Sequence, residues 1–131
     1  MLMGTNDLEE GADAAKIANN IGLIIEALHK HNHSMPVVIC QVFPSHESKK
    51  RSASDIQEIN RGIAKLVKGD PRITLLDTWT LFANEQGDAK KEEFPDLLHP
   101  NRIGYEKWKA ALWPVLATLG FTDRTAKPFQ I

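Results

Sequence analysis

The apolar positions along the chain change period several times, and each change marks an element. Ile17, Ile21, Ile24 and Leu28 fall at steps of four, three and four, the spacing of one face of an α-helix. That helix is expected to stop within residues 29–33, where the period is lost and Pro36 follows. PVVICQVF, residues 36–43, is a continuous apolar run rich in β-branched residues and predicts a strand buried on both faces, closed by Pro44. Residues 45–54 are polar, basic and aperiodic, which predicts a surface loop of about ten residues. Ser54 followed three residues later by Gln57 fits a capping box, and Ile56, Ile59, Ile63 and Leu66 supply the buried stripe of a second helix. Gly69, Asp70 and Pro71 then turn the chain into ITLLD, a second short buried strand ending at Asp77. An irregular stretch with Trp79 and Phe82 and a charged loop over residues 83–93 lead to FPDLLHPN. The last helix is predicted over about residues 101–118, with Tyr105, Trp108, Leu112 and Val115 on one face, a kink at Pro114 and Gly120 as its C-cap.

Strands and helices that alternate through short connections predict βαβ units: a parallel sheet with helices on both faces, a three-layer α/β/α arrangement. Two strands make a small sheet. The end of a third is proposed at residues 2–4, where an apolar stub runs into Gly-Thr-Asn-Asp. Residues 1–120 read as one domain and residues 121–131 as a tail without pattern.

Composition narrows the partners. Lys and Arg total 16 against 17 acids in 131 residues, so no net field favours nucleic acid or an anionic membrane, and a small molecule is the expected ligand. No run approaches the roughly 20 apolar residues that span a bilayer, so an integral membrane protein is not expected. The sole cysteine, Cys40, excludes an internal disulfide and a cysteine-based zinc site, and its apolar run predicts an inert core thiol. Met-Leu-Met-Gly reads as the end of an element, so the lack of a leader there says nothing about compartment.

In open α/β sheets, ligands bind beyond the carboxyl ends of the strands, which here selects residues 4–7, residues 43–46 and Asp77 onward. The FPDLLHPN loop returns to the same edge. Within it, Asp96 and His99 stand three residues apart between Pro95 and Pro100. A carboxylate accepting from one ring nitrogen sets the tautomer and orientation a general base needs. The same spacing also suits a turn aspartate and a histidine ahead of a helix. Asn6, in GTND, is placed to donate to an oxyanion, a role worth ~3 kcal/mol where one such donor is lost, though the four residues also suit a plain turn. His29, His31 and His33 do not share one helix face, and a helix C-terminus favours histidine by its dipole, so metal binding is not expected of them. The serines, at 34, 45, 48, 52 and 54, lie before a strand or in and beside the basic loop, and none sits on a sharp strand-to-helix turn with small neighbours. An acid, a base and an oxyanion donor are present; a convincing nucleophile is not.

MLMGTNDL, two helix–strand units and then DLLHPNRIGY leading into a Trp-containing helix resemble the carboxyl-terminal part of the SGNH hydrolases, the GDSL lipase/esterase family. The resemblance runs from Leu2 to about Leu119, with its two motifs about ninety residues apart. It implies a flavodoxin-like three-layer fold and a serine ester hydrolase acting on acylated carbohydrates, lipid-like esters or thioesters. It implies no metal or organic cofactor. The family's Gly-x-Asn-Asp block falls on Gly4, Thr5, Asn6 and Asp7 and implies that Asn6 binds the oxyanion. Its Asp-x-x-His block falls on Asp96, Leu97, Leu98 and His99 and implies that His99 is the base and Asp96 its orienting acid.

The family's Gly-Asp-Ser block with the nucleophile, and the block whose glycine N–H completes the oxyanion hole, both precede Gly-x-Asn-Asp. Two strands with their helices, about 70–100 residues, are therefore expected to be missing ahead of this chain. The helix faces at Ile17 to Leu28 and Tyr105 to Val115 would then lack part of their covering layer, and the isolated chain is expected to be marginally stable or to associate. Alone it is expected to have negligible triad-dependent activity. The competing expectations are a non-catalytic carbohydrate-binding or interaction domain on the same fold, and a serine supplied by another chain.

Overall fold

A computed structural model describes residues 1–121. Its helices are α1 (Thr5–Glu9), α2 (Ala14–His31), α3 (Ala53–Val67), α4 (Thr78–Phe82) and α5 (Arg102–Thr118), and its strands are β1 (Val37–Cys40) and β2 (Ile73–Leu76). The strands pair in parallel, Val37 opposite Ile73 and Cys40 opposite Leu76. The proposed third strand is not a regular strand, yet it lies where one would. Met1 N donates to Val38 O and Cys40 N donates to Met1 O (2.8 Å), the pattern of a single parallel bridge between Met1 and Ile39. The spatial order is thus amino-terminal stub, β1, β2. Residues 122–131 of the expected tail lie outside the described residues.

The strand over residues 36–43 is shorter than its apolar run suggests. Val42 leaves the ladder because Asn60 of α3 takes both its backbone groups: Val42 N–H donates to Asn60 Oδ1 (2.7 Å) and Asn60 Nδ2 donates to Val42 O (3.0 Å). A side-chain amide mimics a strand neighbour, and the backbone groups stay satisfied without a sheet. β2 is half-buried at all four positions rather than fully buried.

Two cores lie on the two faces of this sheet. On one, Ile17, Ile21 and Ile25 of α2 and Ile56, Ile59, Ile63 and Val67 of α3 close over Val37, Ile39 and Val42. Each helix stripe differs from expectation at its end. In α2 the buried row is Ile17, Ile21, Ile25 and His29, not Ile24 and Leu28, and the His29 ring is drawn in by a 2.9 Å bond to Met35 O. In α3, Val67 is buried while Leu66 lies 44% exposed across Gly22 of α2. The two helices meet so closely that a Cβ on Gly62 would stand 3.1 Å from Ala18 Cβ. The expected uncovering of the α2 face does not occur, because α3 and β1 cover it.

The second core is aromatic. Phe43, Phe82 and Phe94 meet edge to face at centroid distances of 5.1–5.8 Å, and Trp108 of α5 closes on Phe43 at 4.9 Å. The stretch read as irregular is the short helix α4, nucleated because Asp77 caps it at both Thr80 N (2.9 Å) and Thr80 Oγ1 (2.7 Å). The cap of α3 is Ser52, accepting from Asp55 N, rather than Ser54. α5 is capped by Asn101, whose side chain accepts from Gly104 N (3.0 Å), and runs through Pro114, and Gly120 follows it with φ +89°. Only Gly104 of α5 is fully buried and Tyr105 is 56% exposed, so this helix face does lack covering, as expected.

Candidate active site

The loop between Phe94 and Asn101 is held at both ends. Phe94 is fully buried in the aromatic core, and Asn101 donates from its backbone to Glu93 O (2.8 Å) and from Nδ2 to Glu92 O (2.8 Å). A Cβ on Gly104 would stand 2.9 Å from Pro100 Cβ and 3.0 Å from Glu93 O, so the first turn of α5 seats directly on the loop. Lys107 adds an ion pair to buried Glu93 at 2.7 Å.

Within that frame the structure brings Asp96 and His99 together. His99 Nδ1 and Asp96 Oδ2 are 2.6 Å apart, and Asp96 Oδ1 accepts from Leu98 N (3.0 Å) and His99 N (2.7 Å). The His99 ring and then these backbone N–H groups hold the Asp96 carboxyl well below the usual carboxylate range. An ionised Asp96 can only accept, so the proton between them sits on Nδ1, and in the neutral imidazole the lone pair is then on Nε2. The imidazole is 77% exposed. Leu97, at the loop apex, takes a left-handed φ of +61°. Its carbonyl accepts from Ser45 Oγ at 2.7 Å, which stitches the loop to the segment leaving β1.

Asn6 lies in the first turn of α1, exposed to solvent, with Oδ1 accepting from Arg51 Nη2 at 3.3 Å. α1 begins at Gly4, whose φ of +118° and whose missing Cβ, which would lie 3.0 Å from Ile17 Cγ2, both call for glycine. A cleft of about 120 Å³ is lined by Leu2, Thr5, Phe43, Ser45 and Leu98 among others. Its lining includes Thr5 and Leu98, the chain neighbours of Asn6 and His99, and residues 42–45 that follow β1, where the topology places ligands.

The serine hydroxyls are engaged away from His99. Ser45 bonds Leu97 O, Ser48 bonds His46 Nδ1, Ser52 bonds Asp55, Ser54 lies 3.2 Å from Ser52, and Ser34 bonds Asn32. Cys40 is buried, and burial pushes its thiol up, against a weaker opposite pull from Trp108. His29 is buried against Met35 O while His31 and His33 are exposed, and among the described residues no three metal-ligating groups cluster. Arg51 is a residue the sequence reading passed over. It falls in the basic stretch expected to be a surface loop, yet it is 2% exposed, and nothing in the local pattern distinguishes it from its neighbours Lys49 and Lys50.

Residues 1–107 match the family model described as the GDSL-like Lipase/Acylhydrolase family. Platelet-activating factor acetylhydrolase IB subunit alpha1 of Homo sapiens is 26% identical over 126 residues, covering 93% of this chain and 52% of the relative, and the Mus musculus protein gives the same identity and coverage. The chain thus spans about half the length of the curated relatives it matches. A solved structure from Streptococcus pneumonia, described as a candidate platelet activating factor, superposes with a TM-score of 0.80 over 88% of this chain and 57% of its own, at 23% identity. That likeness bears on the fold, and it is the α/β fold expected from the two motifs.

Proposed function

The chain belongs to the GDSL-like lipase/acylhydrolase family, and on that premise we propose that it carries the general base, the orienting acid and one oxyanion donor of a serine ester hydrolase. The observation that carries the proposal is the 2.6 Å bond between Asp96 Oδ2 and His99 Nδ1. With the proton held on Nδ1, His99 Nε2 accepts the proton of a serine hydroxyl as its oxygen attacks the ester carbonyl carbon. The carbonyl oxygen becomes an oxyanion, and Asn6 Nδ2–H donates to it. His99 then returns the proton to the departing alkoxide. Water repeats the sequence on the acyl-serine, releasing the acid.

The nucleophile in this reading lies in a segment outside this sequence, since all five serines are engaged elsewhere. The half-length match to the curated relatives agrees with that. The substrate is an ester of a small acyl group on a carbohydrate or lipid-like alcohol. The acetylhydrolase name of the relatives favours a short acyl chain. A second reading, a binding or interaction module that kept the fold without the nucleophile, is favoured by the 77% exposure of His99.

The test starts from the coding sequence upstream of the Met1 codon. An in-frame Gly-Asp-Ser there, and an extended protein that hydrolyses p-nitrophenyl acetate and is labelled at that serine by a fluorophosphonate, are the expected results. His99→Ala in the extended protein is expected to lower the rate by roughly 10³-fold or more. The 131-residue chain alone is expected not to react. Labelling of Ser45 in that chain, or hydrolysis indifferent to His99→Ala, would overturn the proposal; a reading frame without the serine would favour the binding module.

A further inference from the structure

Arg51 is the most deeply buried charge among the described residues, and its partners are nearly all in one place. Its Nε–H is shared between Thr5 O (2.9 Å) and Thr5 Oγ1 (3.0 Å), and its Nη2 reaches Glu9 Oε2 (2.9 Å) and Asn6 Oδ1 (3.3 Å). Its Nη1 donates to Lys49 O (2.8 Å) at the base of its own loop. Burying a guanidinium is costly, and the one carboxylate that faces it, Glu9, is itself half exposed. The contacts that satisfy the group therefore concentrate on Thr5, Asn6 and Glu9, all in α1.

α1 needs such a support. Five residues are too few for a helix to persist by itself, and Gly4 provides no side-chain cap. The contact with Asn6 does something more specific. A guanidinium has only donors, so the atom of the Asn6 amide facing Arg51 must be Oδ1, and chemistry rather than coordinate assignment decides which way the amide points. With Oδ1 committed, Nδ2 is turned away from Arg51, and it has no hydrogen-bond partner among the described residues. A cation on the oxygen also polarises the amide and strengthens its N–H as a donor. Lysine would supply one point charge on a flexible stem and could not hold Thr5, Asn6 and Glu9 together.

We propose that Arg51 is the positioning residue of the oxyanion donor: it locks the Asn6 amide with Oδ1 inward, so that Nδ2–H is preorganised to meet a developing negative charge. The inference rests on the reading of Asn6 as that donor, and its test is independent of hydrolysis. In ¹H–¹⁵N spectra of the 131-residue chain, the Asn6 side-chain NH₂, identified by its loss in Asn6→Asp, is expected to show a heteronuclear NOE near that of the ordered backbone, because the bond to Oδ1 stops rotation about χ2. Arg51→Lys is expected to lower that NOE to the value of a surface amide free about χ2, whereas Glu9→Gln, which removes only the ion pair, leaves it high. Should Arg51→Lys fail to fold, Asn6→Ala serves from the other side. It is expected to shift the Arg51 Nη2–H resonances while leaving Nε–H, which is bonded to Thr5, in place.

An Asn6 NH₂ already as mobile as a surface amide in the unmodified chain, or Arg51 Nη2–H signals unmoved by Asn6→Ala, would overturn the proposal and reduce Arg51 to a tether for α1. Failure of the ester-hydrolysis test with these signatures intact would instead remove the oxyanion role and leave the lock standing.

Discussion

Substituting Asn60 with Ala removes the side chain that ends β1, and the cost can be worked from its two bonds. Val42 N–H and Val42 C=O, on a residue only 1% exposed, would both lose their partner. Each orphaned backbone group costs about 1–3 kcal/mol, which sets a range of about 2–6 kcal/mol. The lower half applies here, because Asn60 also lines a polar cleft of about 270 Å³ with Gln41, Gln57 and Asp77, through which water can reach the vacated position. A loss of about 2–3 kcal/mol is therefore expected. With a urea slope of about 1–3 kcal/mol/M for a small domain, the unfolding midpoint falls by about 0.7–3 M. Far-UV circular dichroism against urea reads it directly. Asn60→Asp supplies a control with a sign. A carboxylate accepts from Val42 N–H but cannot donate to Val42 O, whereas a protonated carboxyl does both. Its folded-state pKa is therefore raised, the folded state binds the extra proton, and this variant regains stability as pH falls from 7 toward 5. An Asn60→Ala loss below about 1 kcal/mol at unchanged slope, or an Asn60→Asp variant insensitive to pH, would refute the account of how β1 ends.

Gly4→Ala forces a side chain into φ +118° and against Ile17 Cγ2 at 3.0 Å, so a loss of about 1–3 kcal/mol is expected in the same assay. Ser45→Ala removes the buried bond to Leu97 O, and a loss of about 1 kcal/mol is expected, with faster hydrogen exchange at Leu98 and His99 but not in α3. Both Asp96, beside His99, and Asp70, bonded to Arg72, have carboxyls held below the usual range, so the unfolded chain takes up their protons first as pH drops through about 4. Stability from these groups is fully present above that pH and declines below it, and Asp70→Asn is expected to flatten the acid limb of a urea-midpoint profile. The thinly covered face of α5, with Tyr105 56% exposed, predicts self-association of the isolated chain in sedimentation, and a monomer with a sharp melt well above ambient temperature would count against it.

What the sequence determined by itself is what neighbouring residues decide. Helical spacing located α2 and α3, the β-branched run located β1, and an acid and an imidazole three residues apart between prolines located the Asp96–His99 pair. Such interactions close over a few residues, and the side chains that make them are visible in one short window. The errors lie where distant segments meet. β1 stops early because Asn60, 18 residues on, takes Val42. The α2 stripe ends at Ile25 and His29 because α3 and Met35 fix which side of the last turn is buried. The loop carrying His99 is stitched by Ser45, 52 residues earlier. The orientation of Asn6 depends on Arg51, 45 residues later, in a stretch whose composition reads as solvent-facing. An arginine is charged whether it faces water or a short helix. Its role is set by what the fold brings within hydrogen-bonding distance, and that is a property of the tertiary structure alone.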